Sequence, residues 1–176
     1  MTDDLLFRST RELTPALRAA VIALCDRAYE EETGPLLESM GPMQHVLLFA
    51  DGALVSHAAW VRRYLQAASG PLLDTAYVEL VATAPEHQGC GLASRVLQAL
   101  VARVAPLYDL AALSPSDVGF YARLGWEEWR GPLLVRTAAG LEEVAHETAM
   151  IHRLARTPPL DLAAPLSIEW RSGDVW

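Results

Sequence analysis

The stretch from Tyr77 to Val104 constrains this chain more than any other. The run Tyr77-Val78-Glu79-Leu80-Val81 reads as a strand, Ala76 to Ala82, buried on both faces. Pro85 to Gly91 follows as a loop. Leu92, Val96, Leu97, Leu100, Val101 and Val104 then recur at helical spacing, so a helix is expected over 92–104. At the junction, Gln88, Gly91 and Ala93 spell Q-x-x-G-x-A. A loop placed between a strand and a helix exposes successive backbone N–H groups, and Gly89 and Gly91 carry no Cβ to block close approach. The first N–H groups of the helix lack intrahelical partners and sit at the positive end of its dipole. The stretch Gln88-Gly89-Cys90-Gly91-Leu92-Ala93 is therefore an anion nest of a kind that suits a pyrophosphate. No Gly-Lys-Ser/Thr follows and no G-x-G-x-x-G precedes, which argues against a P-loop nucleotidase and a dinucleotide-binding unit.

The remaining pattern fits around this junction. Leu5 to Arg8 reads as a first strand, and Thr14-Pro15 opens a helix running to about Tyr29. Leu36 to Met40 reads as a short second helix. His45 to Ala50 and Ala53 to Tyr64 form a hairpin about Asp51-Gly52. Tyr108 to Leu113 is the strand after the long helix. Asp117 caps a short helix through Arg123, and strands are expected from Trp126, over 133–136 and over 149–154. Residues 137–149 are polar and mixed, and 158–176 read as a tail with few periodic features. The order implies a single domain over 1–176, of mixed α/β class, with helices on the faces of one sheet.

Charge narrows the partners. A net charge of −8 argues against nucleic acid, whose binding needs clustered Lys and Arg, and is compatible with a cationic small molecule. No apolar run is long enough to span a bilayer, and Met1-Thr2-Asp3-Asp4 lacks the pattern of a secretory leader, so a cytoplasmic location is expected. Cys25 falls in a helical pattern and reads as core. Cys90 lies in the glycine loop with no His/Asp partner at a recognisable spacing. The five histidines show no metal-ligand spacing, so no metal is expected.

The loop in this setting resembles the GNAT superfamily of N-acetyltransferases, in which Q/R-x-x-G-x-G/A follows the fourth strand and binds the pyrophosphate of acetyl-CoA. The resemblance implies a twisted, mostly antiparallel sheet whose splayed fourth and fifth strands admit the pantetheine arm. Leu80, Val81 and Thr83 would lend backbone groups to that arm and the thioester, and Gln88, Gly89, Cys90, Gly91, Leu92 and Ala93 would hold the pyrophosphate. Three further segments look like the aminoglycoside 2'-N-acetyltransferases: Tyr77-Val78-Glu79, Ala112-Leu113-Ser114 with Tyr121 to Trp126, and the ending Trp170-Arg171-Ser172-Gly173-Asp174-Val175-Trp176. By that likeness Glu79, Asp174 and the Trp176 carboxylate would bind the sugar amines, Ser114 and Tyr121 would lie near the thioester, and 158–176 would contribute to the acceptor site. Glu30, Glu31, Glu32 and Glu38 stand where that family carries differently spaced aspartates, which leaves a polyamine, another small metabolite or a peptide amine as alternative acceptors. A non-catalytic acyl-CoA-binding module is the alternative of another class.

The chemistry asks for three groups. An attacking amine must lose a proton, and Glu79 could take it through ordered water. The tetrahedral oxyanion needs a donor, which a backbone N–H near Val81, freed by a bulge, would supply. The leaving thiolate needs a proton, for which the Tyr121 hydroxyl is the candidate. Glu169 and the rings of Trp170 and Trp176 join the tail groups that would attract a cationic sugar. Exposed apolar strand faces would also allow two copies to pair.

Overall fold

The computed structural model describes residues 3–173 and 175–176. The chain forms two compact units, Met1–Val61 with Val78–Ala102, and Arg62–Tyr77 with Arg103–Trp176. Strands β3 (Ala53–Ala67) and β4 (Leu72–Thr83) each have residues assigned to both units.

In the first unit, β1 (Asp3–Ser9) pairs antiparallel with β2 (Gln44–Ala50), which pairs antiparallel with β3. Asp51 and Gly52 both take positive φ, 48° and 82°, as a tight hairpin turn needs. A bulge between Leu48 and Phe49 shifts the register from Ala50↔Ala53 near the turn to Leu47↔His57 beyond it. Helix α1 (Pro15–Tyr29) starts where expected: the Thr14 side chain accepts from Leu17 N–H at 3.2 Å, and Pro15 occupies the first turn. It buries Val21, Leu24 and Cys25. Helix α2 (Gly34–Ser39) begins before Leu36, because Pro35 enters its first turn rather than breaking it. Helix α3 (Leu92–Val104) has the bounds the periodicity gave, and Val96, Leu97 and Leu100 are fully buried.

In the second unit, Thr75, Ala76 and Tyr77 of β4 pair in parallel with β5 (Leu110–Leu113). Strand β9 (Met150–Arg153) pairs antiparallel with β5 and with the two-residue β6 (Glu127–Glu128). Helix α4 (Val118–Ala122) is capped by Asp117, whose carboxylate accepts from Phe120 N–H at 3.0 Å. Strand β7 (Leu133–Thr137) pairs with β8 (Gly140–Glu143), an element the mixed polar stretch 137–149 did not signal.

The larger correction concerns 158–176. Leu166–Glu169 is a strand, β10, paired antiparallel with β3 and parallel with β7. It lies between two strands and buries Leu166, Ser167 and Ile168 together, so it shows no alternation to read. Gly131 permits this docking: a Cβ there would stand 2.0 Å from the Ala164 carbonyl oxygen. The fold class is as expected, mixed α/β with mostly antiparallel pairing.

Candidate active site

The glycine loop lies wholly in the first unit. Gln88, Gly89, Cys90 and Gly91 are exposed, while Leu92 and Ala93, which open α3, are half-buried. Gly89 and Gly91 take φ of 73° and 77°, a conformation costly for any residue with a Cβ, and the space before each is open to 4 Å. The loop is braced from behind. Gln88 Nε2 donates to the Thr83 carbonyl at 3.3 Å, Gln88 N–H to Pro85 at 3.3 Å, and His87 N–H to Ala84 at 2.8 Å. An exposed ion pair joins Arg27 on α1 to Glu86. Exposed glycines with left-handed backbone, set at the first turn of a helix thirteen residues long, fit a diphosphate group.

The strand leading into the loop is held in an unusual way. Leu80 takes φ of 52°, a left-handed conformation that costs a leucine about 1–2 kcal/mol. The irregularity anticipated near Val81 therefore falls at Leu80. Side chains hold three successive carbonyls here: His57 Nδ1 on Leu80 O at 2.9 Å, the Tyr29 hydroxyl on Val81 O at 2.9 Å, and the Ser56 hydroxyl on Ala82 O at 3.2 Å. Thr83 Oγ1 lies 2.8 Å from Ser56 Oγ. Glu79 is half-buried on this segment. Tyr29, Ser56 and His57 carried no signal in the sequence, since each comes from a distant element.

In the second unit, Tyr121 is buried on α4, its ring edge-on to Phe120 at 5.0 Å and to Trp126 at 6.1 Å. Burial, with the nearby Asp117 charge, pushes its phenol up to about 12, so the hydroxyl stays protonated. Ser114 is exposed just past β5.

The C-terminal segment is tied down by an ionic knot. Buried Arg63 donates to Glu169 Oε1 at 2.7 Å, to the Glu169 carbonyl at 2.6 Å and to the Val175 carbonyl at 3.0 Å. Tyr64 N–H donates to Glu169 Oε2 at 2.9 Å, and Arg136 lies 3.5 Å from that oxygen. Arg136 also donates to the Tyr64 carbonyl and, at 2.8 Å, to Ser167. Glu169 is thus the counter-ion of Arg63, a structural task its reading as a substrate acid did not include. Burial lowers the Arg63 guanidinium from its usual value, and Glu169 acts against that shift. Trp176 is buried to 7 % exposure, and its Nε1 has no protein partner among the described residues, whereas Trp170 is 61 % exposed. Asp174 lies outside the described residues. A cavity of about 550 Å³ is lined by Arg136, Thr137, Glu142, Glu169 and Trp170, among others. Among the described residues no helix is long and apolar enough to cross a membrane, and no His/Cys/Asp/Glu group could hold a metal ion.

A family model described as an acetyltransferase (GNAT) domain matches residues 9–129. The chain therefore belongs to the GNAT family, a class of acetyl-CoA-dependent N-acetyltransferases. It is 36% identical over 138 residues to an aminoglycoside 2'-N-acetyltransferase of Mycolicibacterium fortuitum, covering 75% of this chain and 70% of that protein. Among solved structures it resembles Eis1 from Mycobacterium abscessus, with a TM-score of 0.61, 20% identity and 74% of this chain covered, though it spans only 32% of that protein. It also resembles the GNAT family N-acetyltransferase YhbS from Escherichia coli, solved in complex with CoA, with a TM-score of 0.67, 17% identity, and 97% and 92% of the two chains covered. The structural likenesses show the fold.

Proposed function

We propose that this chain transfers the acetyl group of acetyl-CoA to a primary amine, and that the leading acceptor is the 2'-amino group of an aminoglycoside. The exposed left-handed glycines before α3 carry the first part of this reading. The 36% identity to an aminoglycoside 2'-N-acetyltransferase supports the second.

Acetyl-CoA supplies an activated acyl group, and the residues of the chain are assigned as follows. Backbone N–H groups of the loop at Gly89, Cys90 and Gly91 and of the first turn at Leu92 and Ala93 bind the pyrophosphate, and Gln88 holds the loop onto Thr83. Backbone groups of Leu80, Val81 and Thr83 align the pantetheine arm, and Ser114 lies beside it. Glu79 receives the amine proton through water, and the Val81 N–H stabilises the oxyanion. Tyr121 returns a proton to the thiolate, a task suited to a hydroxyl kept protonated by burial. Asp174 and the Trp176 carboxylate attract the cationic acceptor. Positioning of both reactants makes a covalent enzyme intermediate unnecessary. A cytoplasmic location and pairing of two copies belong to the same reading, to be checked by fractionation and light scattering.

The test is release of free CoA by purified protein. Release is expected only when acetyl-CoA and a 2'-amino aminoglycoside are both present, and turnover on other amines alone would reject the acceptor. One observation favours that second outcome: in the acidic segment, Glu38 is engaged by Arg18 at 3.0 Å, while Glu30, Glu31 and Glu32 stand exposed at a different spacing.

A further inference from the structure

Behind the left-handed turn of β4 lies a buried file of uncharged groups to which the acetyl-transfer reading gives no role. Thr10 Oγ1 stands 3.0 Å from His45 Nε2, His45 Nδ1 stands 3.0 Å from His57 Nε2, and His57 Nδ1 stands 2.9 Å from the Leu80 carbonyl oxygen. Both rings are fully buried. The proton positions follow from one end. A carbonyl only accepts, so His57 Nδ1 carries a hydrogen. In a neutral ring its Nε2 is then bare, so His45 Nδ1 must donate to it. His45 Nε2 is bare in turn and is an acceptor for the Thr10 hydroxyl, whose one hydrogen it shares with the Met43 carbonyl at 3.1 Å and whose oxygen accepts from Met43 N–H at 2.9 Å. Cys25 Sγ, 3.9 Å from His57 Nδ1, is too distant and weak an acceptor to divert that hydrogen. Burial keeps both rings neutral, with His45 lowered to about 4 and His57 to about 3.

This file ends on the peptide that matters most for the oxyanion. In a trans peptide the carbonyl of Leu80 and the N–H of Val81 point in opposite directions. A donor that fixes the carbonyl toward His57 therefore fixes the N–H away from it. We propose that His57, held in one tautomer by His45 and Thr10, is a positioning residue that aims the Val81 N–H at the thioester carbonyl. The proposal rests on the acetyltransferase reading but not on the identity of the acceptor.

The decisive measurement compares the Val81 amide proton in complexes of the full chain with acetyl-CoA and with CoA. In the wild type its resonance should move downfield when the acetyl group is present. In His57→Phe that difference should vanish, and kcat should fall on the order of a hundredfold, with the KM for acetyl-CoA within about twofold. His57→Asn, which restores a donor near the Nδ1 position, should recover most of the shift and rate. An unchanged shift in folded His57→Phe, or equal loss in both variants, overturns the proposal. Nitrogen-15 spectra of the unmodified protein, labelled at histidine, decide the matter even if the variants do not fold. Both rings should be neutral with hydrogen on Nδ1, and a hydrogen on Nε2 of either ring overturns it. If no aminoglycoside is turned over, the acceptor reading fails while the amide and tautomer measurements still judge this one.

Discussion

The file Thr10–His45–His57–Leu80 and the knot Arg63–Glu169–Arg136 are both sequestered polar networks, yet the first is built of neutral groups and the second of ions. The neutral file escapes most of the desolvation cost of charge, and because each donor settles the next acceptor, it has a direction. That suits the orientation of a single peptide. The ionic knot faces a heavier desolvation cost, which lowers the Arg63 guanidinium, but one guanidinium reaches Glu169 twice and Val175 once. That suits the fastening of a strand and a chain end. The same unit of burial serves precision in one place and attachment in the other.

The largest expected effect is acid lability of the neutral file. The folded values of about 4 and about 3 lie below the ordinary 6.5, so as pH falls the unfolded chain takes up protons first. Stability is complete above about 6.5 and is lost as pH falls toward about 4 for His45 and about 3 for His57, by up to about 1.4 kcal/mol per pH unit for each ring. Urea unfolding from pH 7 to 5 should show this slope, and a His45→Asn/His57→Asn double variant should flatten it. Arg63→Met comes next, at about 3 kcal/mol, because it leaves Glu169 with only Tyr64 N–H and the more distant Arg136, and the Val175 carbonyl unheld. Faster proteolysis after Glu169 should accompany it. His57→Phe, which orphans the Leu80 carbonyl and the His45 Nδ1 hydrogen, should cost less, about 2 kcal/mol. If it destabilises as much as Arg63→Met, the contrast between the networks fails. Arg27→Ala, which removes an exposed pair beside the loop, should stay within about 0.5 kcal/mol in thermal melts and calibrate the small end.

The glycine loop and α3 could be read from the sequence because dense helical spacing and two glycines are local signals. The strand β10 could not: four residues bounded by Pro165, buried on both faces, carry no period. Nor could the histidine pair. The hairpin turn alone aligns Ala50 with Ala53, a register that would set His57 opposite Val46 and on the other face from His45. The bulge between Leu48 and Phe49 moves His57 opposite Leu47, and only then do the two rings share a face. Tyr121 was singled out through the likeness of the run Tyr121 to Trp126 to a known family, whereas the bond between Glu169 and Arg63 left no trace in the sequence because Arg63 lies on β3, far away in the chain.

The two cysteines differ as sharply as two thiols can. Cys25 is buried, and burial pushes its thiol up to about 12, whereas Cys90 is exposed between the two left-handed glycines. A maleimide or disulfide reagent should therefore label the molecule once, in the glycine loop proposed to hold the pyrophosphate. The rate of that labelling gives an occupancy gauge that the wild-type chain carries without engineering, slowed by whatever ligand settles there.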